Sequence, residues 1–271
     1  MGRVYILPCW KGASLMLVCE RIKHLIKKML FSYRCDSDAF VAYLRQAGAE
    51  VGERIQIFDP RHTIIDVTRP YLLKIGDDVQ ITSGVTILTH GYDWSVFKGL
   101  YGEVLGSAGE VTIGNNCFIG MHTTILKGVH IGNNCIIGAN SLVNKDIPDG
   151  WVAAGNPAVP IMKIEDYHKK RVALQLQEAK ELYRCYIKRM RREPPIEEFD
   201  EFFWLFQRRD KSALTAGECS KLGLVGSYDR SLAAFLKSKP LFNGYEDFLR
   251  WMRENNSTYD ECFTAVESKG E

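Results

Sequence analysis

The sequence lacks several features that would assign it at once to a functional class. Its 271 residues carry a net charge of only +2, which is too balanced for a dedicated nucleic-acid-binding domain. None of its eight cysteines forms a Cys-x-x-Cys pair or a cysteine–histidine spacing typical of zinc sites, so we expect reduced cysteines that pack in a cytosolic protein. No apolar run reaches the roughly 18 residues of a membrane span. The composition, 46% hydrophobic and 25% charged, is that of a globular protein.

Two short uncharged runs, residues 4–10 and 12–19, stand near the N-terminus. Only Arg3 forms a basic region before them and no A-x-A cleavage site follows, so we expect a non-secretory, cytoplasmic protein. Four basic residues follow these runs: Arg21, Lys23, Lys27 and Lys28. They are compatible with two predictions, a peripheral contact with a membrane surface and a helix whose basic face is solvated.

An aliphatic residue recurs at every sixth position through the middle of the chain. The clearest run comprises Ile113, Ile119, Ile125, Ile131, Ile137 and Val143. The same spacing extends upstream through Val51, Ile57, Thr63, Arg69, Ile75, Ile81 and Ile87, of which Thr63 and Arg69 are weak members. Such a residue points inward in each of three short strands, so three hexapeptides form one coil and successive coils stack. The pattern predicts that Ile113 lies under Ile131, and Ile119 under Ile137, at the spacing of paired strands.

The repeat is followed by Lys-Asp-Ile-Pro at residues 145–148 and by Ala-Gly-Asn-Pro-Ala at residues 154–158. Over about residues 51–164 the sequence therefore resembles the hexapeptide-repeat acyltransferases, and within them the O-acetyltransferases of sugars and of capsular or cell-surface polysaccharides. The resemblance implies a mainly β fold, a left-handed parallel β-helix of hexapeptide repeats with a protruding loop. It also implies acetyl-CoA as the acyl donor and a homotrimer.

One interruption breaks the repeat. Residues 91–109 separate the coil that contains Ile87 from the one that begins at Ile113, a step of 26 residues where an unbroken coil needs six. The segment is predicted to leave the β-helix as a loop, and its aromatic residues are too many for a plain linker: Tyr92, Trp94, Phe97 and Tyr101. Extended loops of this kind are usually functional.

Helices are predicted on both sides of the repeat. In an N-terminal helical segment, residues 1–50, a helix over 39–46 starts after Asp36-Ser37-Asp38 and stops at Gly48. Residues 165–271 are predicted to form a helical C-terminal extension. Its long helix over 165–192 ends at Glu193-Pro194-Pro195, and shorter helices are predicted over 197–209, 230–237 and 245–254.

His90 is the candidate catalytic residue because it stands where the coil ends and the loop begins. In the family that the sequence resembles, a histidine at this position is the general base. A sugar hydroxyl must lose its proton as it attacks a thioester, and neutral imidazole accepts that proton near neutral pH. The alternative is a surface histidine in a turn. His62, His122 and His130 fall on outward-facing positions without the His-x4-His spacing of γ-type carbonic anhydrases, so we expect no metal site.

The resemblance also implies a donor site along an edge of the β-helix between two subunits. The matching positions are Gly138, Ala139, Asn144, Lys145, Gly155, Asn156, Pro157 and Ala158, with Lys163 near the CoA phosphates. Val159-Pro160 stands where family members often carry a lysine after Pro-Ala. The alternative is that residues 155–158 only terminate the last coil.

The candidate acceptor-site residues lie in an irregular stretch of the repeat and at the start of the loop: Asp66, Arg69, Tyr92, Asp93 and Trp94. A coil of three hexapeptides puts Arg69 beneath Ile87, close to His90. Asp66 or Asp93 is then expected to orient His90 or a sugar hydroxyl, although an ion pair between Asp66 and Arg69 is an equal alternative. The two aromatic residues are expected to stack on a sugar ring or to pack against a neighbouring subunit.

The predicted function is therefore acetyl-CoA-dependent O-acetylation of a sugar or cell-surface polysaccharide hydroxyl, with His90 as general base and direct attack on the thioester. The partners expected are a small-molecule or glycan acceptor and further copies of the chain, and no nucleic acid. Two alternatives stay open at this level: N-acetylation of an amino sugar, and a non-catalytic β-helix scaffold that binds partners.

Overall fold

The computed structural model describes residues 26–255, which form two compact units that divide between Ile164 and Glu165. The uncharged runs at residues 4–19, on which the membrane-surface expectation rests, lie outside the described residues. Residues 26–31 are helical and are followed by a 3-10 turn at Ser32–Arg34. Within the described residues, no helix is long and apolar enough to cross a membrane.

The first unit opens with helix α1 (Ser37–Ala47), close to the helix that the sequence predicts. The Asp36 side chain accepts a hydrogen bond from the Ala39 amide, and Gly48 ends the helix with a φ of 106°, a conformation that favours glycine. Phe40 and Leu44 pack into the same core as the coils that follow. The helix therefore contributes to the core next to the first coil.

Fourteen short strands follow within the described part of this unit: β1 (Glu50–Val51), β2 (Gln56–Ile57), β3 (Ile64–Ile65), β4 (Leu73–Ile75), β5 (Gln80–Ile81), β6 (Thr86–Ile87), β7 (Val111–Ile113), β8 (Phe118–Ile119), β9 (Thr124–Ile125), β10 (His130–Ile131), β11 (Ile136–Ile137), β12 (Leu142–Val143), β13 (Trp151–Gly155) and β14 (Ala158–Lys163). The chain visits three sheets in turn: a first sheet β1-β4-β7-β10, a second sheet β2-β5-β8-β11-β13-β14 and a third sheet β3-β6-β9-β12. All neighbouring pairs are parallel except β13 and β14. This is the topology of a parallel β-helix.

The predicted stacking of the repeat is confirmed. Ile113 pairs with Ile131, and Ile119 pairs with Ile137. The inward residues of the three sheets are almost all fully buried and form one continuous core: Ile57, Ile65, Ile75, Ile81, Ile87, Ile113, Ile119, Ile125, Ile131, Ile137 and Val143. Each two-residue strand after β1 buries its second residue, so the period of six follows from the burial of one aliphatic side chain per face.

The predicted position of Arg69 beneath Ile87 is wrong. Ile65 pairs with Ile87, and Arg69 lies outside the strands, immediately before a 3-10 turn at Pro70–Leu72. The first coil carries two extra residues before Ile65 and four more between Ile65 and Ile75. Together these inserts equal one hexapeptide, so the spacing of six resumes at Ile75 although it is broken in between.

The segment 91–109 leaves the third sheet after β6, as the sequence predicts, and it contains a helix that the sequence analysis did not predict, α2 (Trp94–Tyr101). Its two ends are joined, because the Gly91 amide donates to the Ser107 carbonyl and the Gly109 amide donates to the Thr89 carbonyl. His90 and Ala108 form an antiparallel bridge between these bonds. The loop is thus closed at its base before the next coil begins.

The second unit is helical in its described part. It contains α3 (Ile164–Met190, whose first residue belongs to the first unit), α4 (Ala216–Leu222), α5 (Tyr228–Lys237) and α6 (Tyr245–Glu254), with 3-10 turns at Ile196–Phe199, Phe203–Leu205, Lys211–Ala213 and Leu224–Gly226. Its core is rich in aromatic residues, including Tyr183, Phe199, Phe206, Phe235 and Phe248. The buried face of α3 runs through Ala179, Tyr183 and Ile187.

The helical predictions for this unit are partly confirmed. The long helix and those over 230–237 and 245–254 are present, but the helix predicted over 197–209 is wrong, since two separate 3-10 turns stand there. The Leu205 carbonyl accepts hydrogen bonds from the amides of Leu241 and Phe242, at 2.8 and 3.0 Å. A carbonyl bonded to a distant segment no longer supports a continuous helix.

Candidate active site

The candidate site is centred on His90, at the turn that leads from the third sheet to the first. This turn, with its equivalents in the neighbouring coils, is called the His90 corner below. His90 follows β6 by three residues and begins the loop. Its imidazole Nδ1 is hydrogen-bonded to the Asp66 carboxylate, which the preceding coil supplies immediately after β3. The side chains of His90 and Asp66 are only 12% and 6% exposed.

Asp66 is held by donors on both of its oxygens. Thr89 donates to Oδ2 from its hydroxyl, at 2.6 Å, and from its amide, at 3.1 Å. Thr68 donates to Oδ1 from its hydroxyl, at 2.7 Å, and from its amide, at 3.0 Å. Burial alone raises the pKa of the Asp66 carboxyl, but the hydrogen bonds from Thr89, Thr68 and His90 outweigh it and hold that pKa well below its usual range. Asp66 is therefore ionised throughout the neutral range.

An ionised carboxylate at Nδ1 fixes the state of the His90 ring. It favours the tautomer that carries its proton on Nδ1, because that proton is donated to Asp66. The lone pair is then on Nε2, the ring nitrogen that Asp66 does not engage. A neutral imidazole oriented in this way accepts a proton from a bound hydroxyl, which is the chemistry of a general base.

The other candidate acceptor residues are distributed unevenly around His90. Tyr92 contacts the imidazole edge-on, with ring centroids 4.9 Å apart, and Trp94 lies 6.1 Å beyond Tyr92. Asp93 instead folds back towards the backbone of Gly91. Arg69 is exposed and has no ion pair within residues 26–255, so the alternative of a structural pair with Asp66 is not what the structure contains. Asp66, rather than Asp93, orients the histidine.

The candidate donor residues lie on both sides of the third sheet. Gly138 and Ala139 form the turn that precedes β12, and the Gly155 amide reaches the same turn through the Ser141 hydroxyl. The segment 155–158 is the turn of the antiparallel hairpin β13–β14, so it does end the parallel coils. These residues form one cluster at the edge opposite the His90 corner.

Asn144 and Lys145 follow β12 at the His90 corner and are exposed. Between them and His90 the corner contains two stacked glycines. A Cβ on Gly109 would meet the Gly128 backbone at 2.8 Å, and a Cβ on Gly128 would meet nothing within 4 Å. These two positions, called the glycine track below, leave backbone without a side chain between His90 and Asn144, and the exposed Lys127 stands beside them.

Lys163 is not brought to the hairpin turn. It ends β14 opposite Trp151, and its ammonium nitrogen lies 4.2 Å from the centroid of the Trp151 ring, in cation–π geometry. Along β13, Trp151 stands four positions before Gly155, a distance of about 13 Å at the usual strand rise. The structure thus separates Lys163 from the glycine-containing turns with which the sequence grouped it.

The remaining histidines of the repeat face outward, as predicted. His122 and His130 are exposed, and His62 bonds Asp59 at 2.7 Å between Nδ1 and Oδ2. Over residues 26–255, no group of three or more histidine, cysteine, aspartate or glutamate side chains is arranged to hold a metal ion.

Thr68 and Thr89 are the site residues that the sequence analysis missed. Thr68 stands two residues after Asp66, the spacing at which an aspartate side chain binds a backbone amide in a turn, and this signal was available. Thr89 occupies a fully buried position next to His90. Its bond to Asp66 depends on which residue of the preceding coil lies beneath Thr89. The inserts in the first coil make that register impossible to predict from a period of six.

Comparison with known proteins agrees with the architecture. The family model of the bacterial transferase hexapeptide (six repeats) matches residues 110–145. Protein CapG of Staphylococcus aureus is 44% identical over 127 residues, which cover 47% of this chain and 73% of CapG. The chain belongs to the hexapeptide-repeat acyltransferase family.

Other relatives of this acyltransferase are known from sequence and from structure. The galactoside O-acetyltransferase of Escherichia coli K12 is 43% identical over 107 residues, so the chain spans half of that protein. A galactoside acetyltransferase solved in complex with coenzyme A is 31% identical and is covered over 84% of its length, with a TM-score of 0.39. In each case the match covers 55% of this chain or less.

Proposed function

We propose that the protein is an acetyl-CoA-dependent O-acetyltransferase that modifies a hydroxyl of a sugar or of a cell-surface polysaccharide. The observation that carries this proposal is the His90–Asp66 pair at the base of the loop. A buried histidine with one ring nitrogen fixed by an ionised carboxylate is suited to removing a proton from a hydroxyl. Two of the relatives, a galactoside O-acetyltransferase and a galactoside acetyltransferase solved with coenzyme A, support acetyl transfer to a sugar.

The proposed reaction is a direct transfer. Nε2 of His90 takes the proton of the acceptor hydroxyl while the hydroxyl oxygen attacks the thioester carbonyl carbon. The bond from that carbon to sulfur breaks, the acetyl group stays on the sugar oxygen, and the CoA thiolate receives the proton from the His90 imidazolium. Asp66 stabilises that imidazolium and keeps the ring in place. Holding both substrates at one corner supplies much of the rate, because a bimolecular step becomes effectively unimolecular.

The donor is proposed to lie along the His90 corner, with its thioester beside His90 and its remainder directed towards Asn144 and Lys145. The glycine track supports this path, since an extended chain passes close to backbone only where side chains are absent. The hairpin turn at 155–158, with Gly138 and Ala139, is proposed to contact the far end of the donor. Because Lys163 is stacked on Trp151, we assign the phosphate contacts to Lys145 rather than to Lys163.

Three further features complete the proposal. The coils are proposed to wind in the left-handed sense, as in the family that the sequence resembles. Residues 51–164 are proposed to be the catalytic domain, flanked by the helical segments 1–50 and 165–271.

The active form is proposed to be a homotrimer in which a neighbouring chain helps to form the groove, so that Tyr92 and Trp94 border the acceptor.

The test is release of free CoA thiol when acetyl-CoA is mixed with candidate sugars and glycans. We expect His90→Ala to fold normally and to lose on the order of 10²–10⁴ in turnover, the usual contribution of a general base. His130→Ala, at an exposed histidine of the same repeat, is the matched control and should keep normal turnover. Full activity in folded His90→Ala would refute the proposed role. Thiol release with amino sugars alone would replace O-acetylation by N-acetylation.

A further inference from the structure

The helical unit contains a cavity that the acetyl-transfer proposal does not use. Its volume is about 670 Å³, within the range usual for small-molecule sites. Phe206, Pro240 and Phe242 supply an apolar part of its wall, and Arg208 and Arg209 line it with positive charge. The cavity is therefore amphipathic, with aromatic rings beside guanidinium groups.

Arg209 is fixed in this wall by the residues around it. Its guanidinium carbon lies 4.5 Å from the centroid of the Phe235 ring. Its Nε donates to the Ser238 hydroxyl at 2.9 Å, and one terminal nitrogen donates to the Trp204 carbonyl at 2.6 Å. The other terminal nitrogen donates to the Gln207 carbonyl. A side chain held at so many points is preorganised, so a ligand would not have to order it.

The charge of Arg209 is not neutralised by a carboxylate within the residues that the structure describes. Nearby acidic side chains bond other groups: Asp210 pairs with Arg208 at 3.1 Å, and Glu218 accepts from Gln207 at 3.2 Å. Burial lowers the pKa of Arg209, yet a guanidinium stays protonated at any physiological pH. Its three bonds leave one N–H on each terminal nitrogen without a partner among the described residues, and a carboxylate has two oxygens that can accept them.

We propose that this cavity binds a small organic carboxylate with an apolar body, with Arg209 as the anchor of the carboxylate and Pro240 and Phe242 as the contacts of the apolar part. Such a ligand supplies the missing negative charge at the one place where the wall presents a fixed cation beside aromatic rings. The site lies wholly within the second unit and is independent of acetyl transfer.

The experiment is calorimetric titration of the full chain with 3-phenylpropionate, and with its uncharged amide as the matched ligand. We expect saturable binding of the carboxylate and binding of the amide weaker by roughly ten- to hundred-fold, the usual effect of losing a hydrogen-bonded charge. Arg209→Lys should weaken carboxylate binding at least ten-fold, because an ammonium does not reproduce the fork of donors. Arg184→Ala, which removes a charge of the same unit that is paired with Glu181 and does not line the cavity, should change it less than about three-fold.

A second variant keeps the test decisive if Arg209→Lys fails to fold. Ala213 lines the cavity without bonding Arg209 through its side chain, so Ala213→Phe should fill the space and abolish binding. Binding that survives this change, or equal affinity for the amide, would overturn the proposal. The chain's own Asp260 and Glu261 are another source of carboxylate. Binding that appears only in Asp260→Asn/Glu261→Gln would assign the cavity to that segment, and no binding in either protein would refute the site.

Discussion

At the scale of single residues, the contact between His90 and Asp66 depends on the register of two neighbouring coils. The position of His90 depends on local pattern, namely the end of one hexapeptide and the start of an insertion. Its partner depends on which residue of the preceding coil lies beneath it. A strict period of six would place Asp66 beneath Gly84, whereas the observed pairing of Ile65 with Ile87 places it beside Thr89 and His90.

The choice between Asp66 and Asp93, which the sequence left open, gives a direct prediction. Asp66→Asn should lower kcat on the order of 10²-fold and leave KM for both substrates nearly unchanged, because Asp66 acts by positioning His90 rather than by touching substrate. Asp93→Asn is the matched control and should change kcat less than about three-fold, since Asp93 turns towards Gly91 instead. Steady-state kinetics on the two variants measures the difference. A larger loss in Asp93→Asn would mean that the other carboxylate orients the base.

The contribution of Asp66 to stability should depend on pH, and a comparison of wild type with Asp66→Asn measures it. The pKa of Asp66 is lower in the folded protein than in the unfolded chain, so its ionised form stabilises the fold at every pH above the ordinary carboxyl range. That contribution is lost as the pH falls below about 4 towards the folded pKa. The free energy of unfolding, measured by chemical denaturation, should therefore be higher for wild type than for Asp66→Asn at neutral pH, and the difference should shrink in acid below about pH 4.

At the scale of elements, the hexapeptide spacing predicts most of the β-helix, because each repeat can be recognised from a few consecutive residues. The coils from Ile75 onward follow the predicted register, since each buried aliphatic residue stacks on the equivalent residue of the next coil. The register of the first coil was predicted wrongly, because its inserts of two and four residues add up to one hexapeptide and the period of six resumes after them. A period that fails and then resumes in phase looks in sequence like a period with two weak members, here Thr63 and Arg69.

In the helical unit, by contrast, the spacing of apolar residues did not predict every element. The aromatic residues of 197–209 are spaced as on a helix face, yet the Leu205 carbonyl bonds the amides of Leu241 and Phe242, and the chain forms two 3-10 turns. Helix α4 was missed although its start carries a sequence signature. Thr215 and Glu218 form a capping box, in which each side chain accepts from the other residue's amide. Caps of this kind mark short helices that a search for long apolar periods overlooks.

The loop at 91–109 is an element whose function is testable by itself. Trp94→Ala should raise KM for the acceptor by roughly three- to ten-fold, the usual contribution of one aromatic contact, and leave the affinity for CoA unchanged. Lys98→Ala, at an exposed polar position of the same helix, is the control and should leave both constants near normal. If both variants lose acceptor affinity equally, the loop acts through subunit packing and not through a sugar contact at Trp94.

At the scale of the whole molecule, the loop at 91–109 exposes apolar side chains that the described part of its own chain does not cover. Six apolar or aromatic residues of the loop are more than half accessible: Tyr92, Val96, Leu100, Tyr101, Val104 and Leu105. A contiguous apolar surface on a folded unit generally marks a site of association. The closed cyclic assemblies that most homo-oligomers form bury such a surface equally in every subunit.

The proposed trimer gives the last prediction. Sedimentation of the full chain should give a mass of about 92 kDa, three times 30.8 kDa. Leu100→Asp places a charge in the exposed apolar surface of the loop and should shift the protein towards monomer, with acetyl transfer lost in parallel because each groove needs two chains. Leu241→Asp, at an equally exposed leucine of the helical unit, controls for the general effect of the charge and should stay assembled. A wild-type monomer with full activity would exclude the shared groove, and Tyr92 and Trp94 would then act on the acceptor of their own chain.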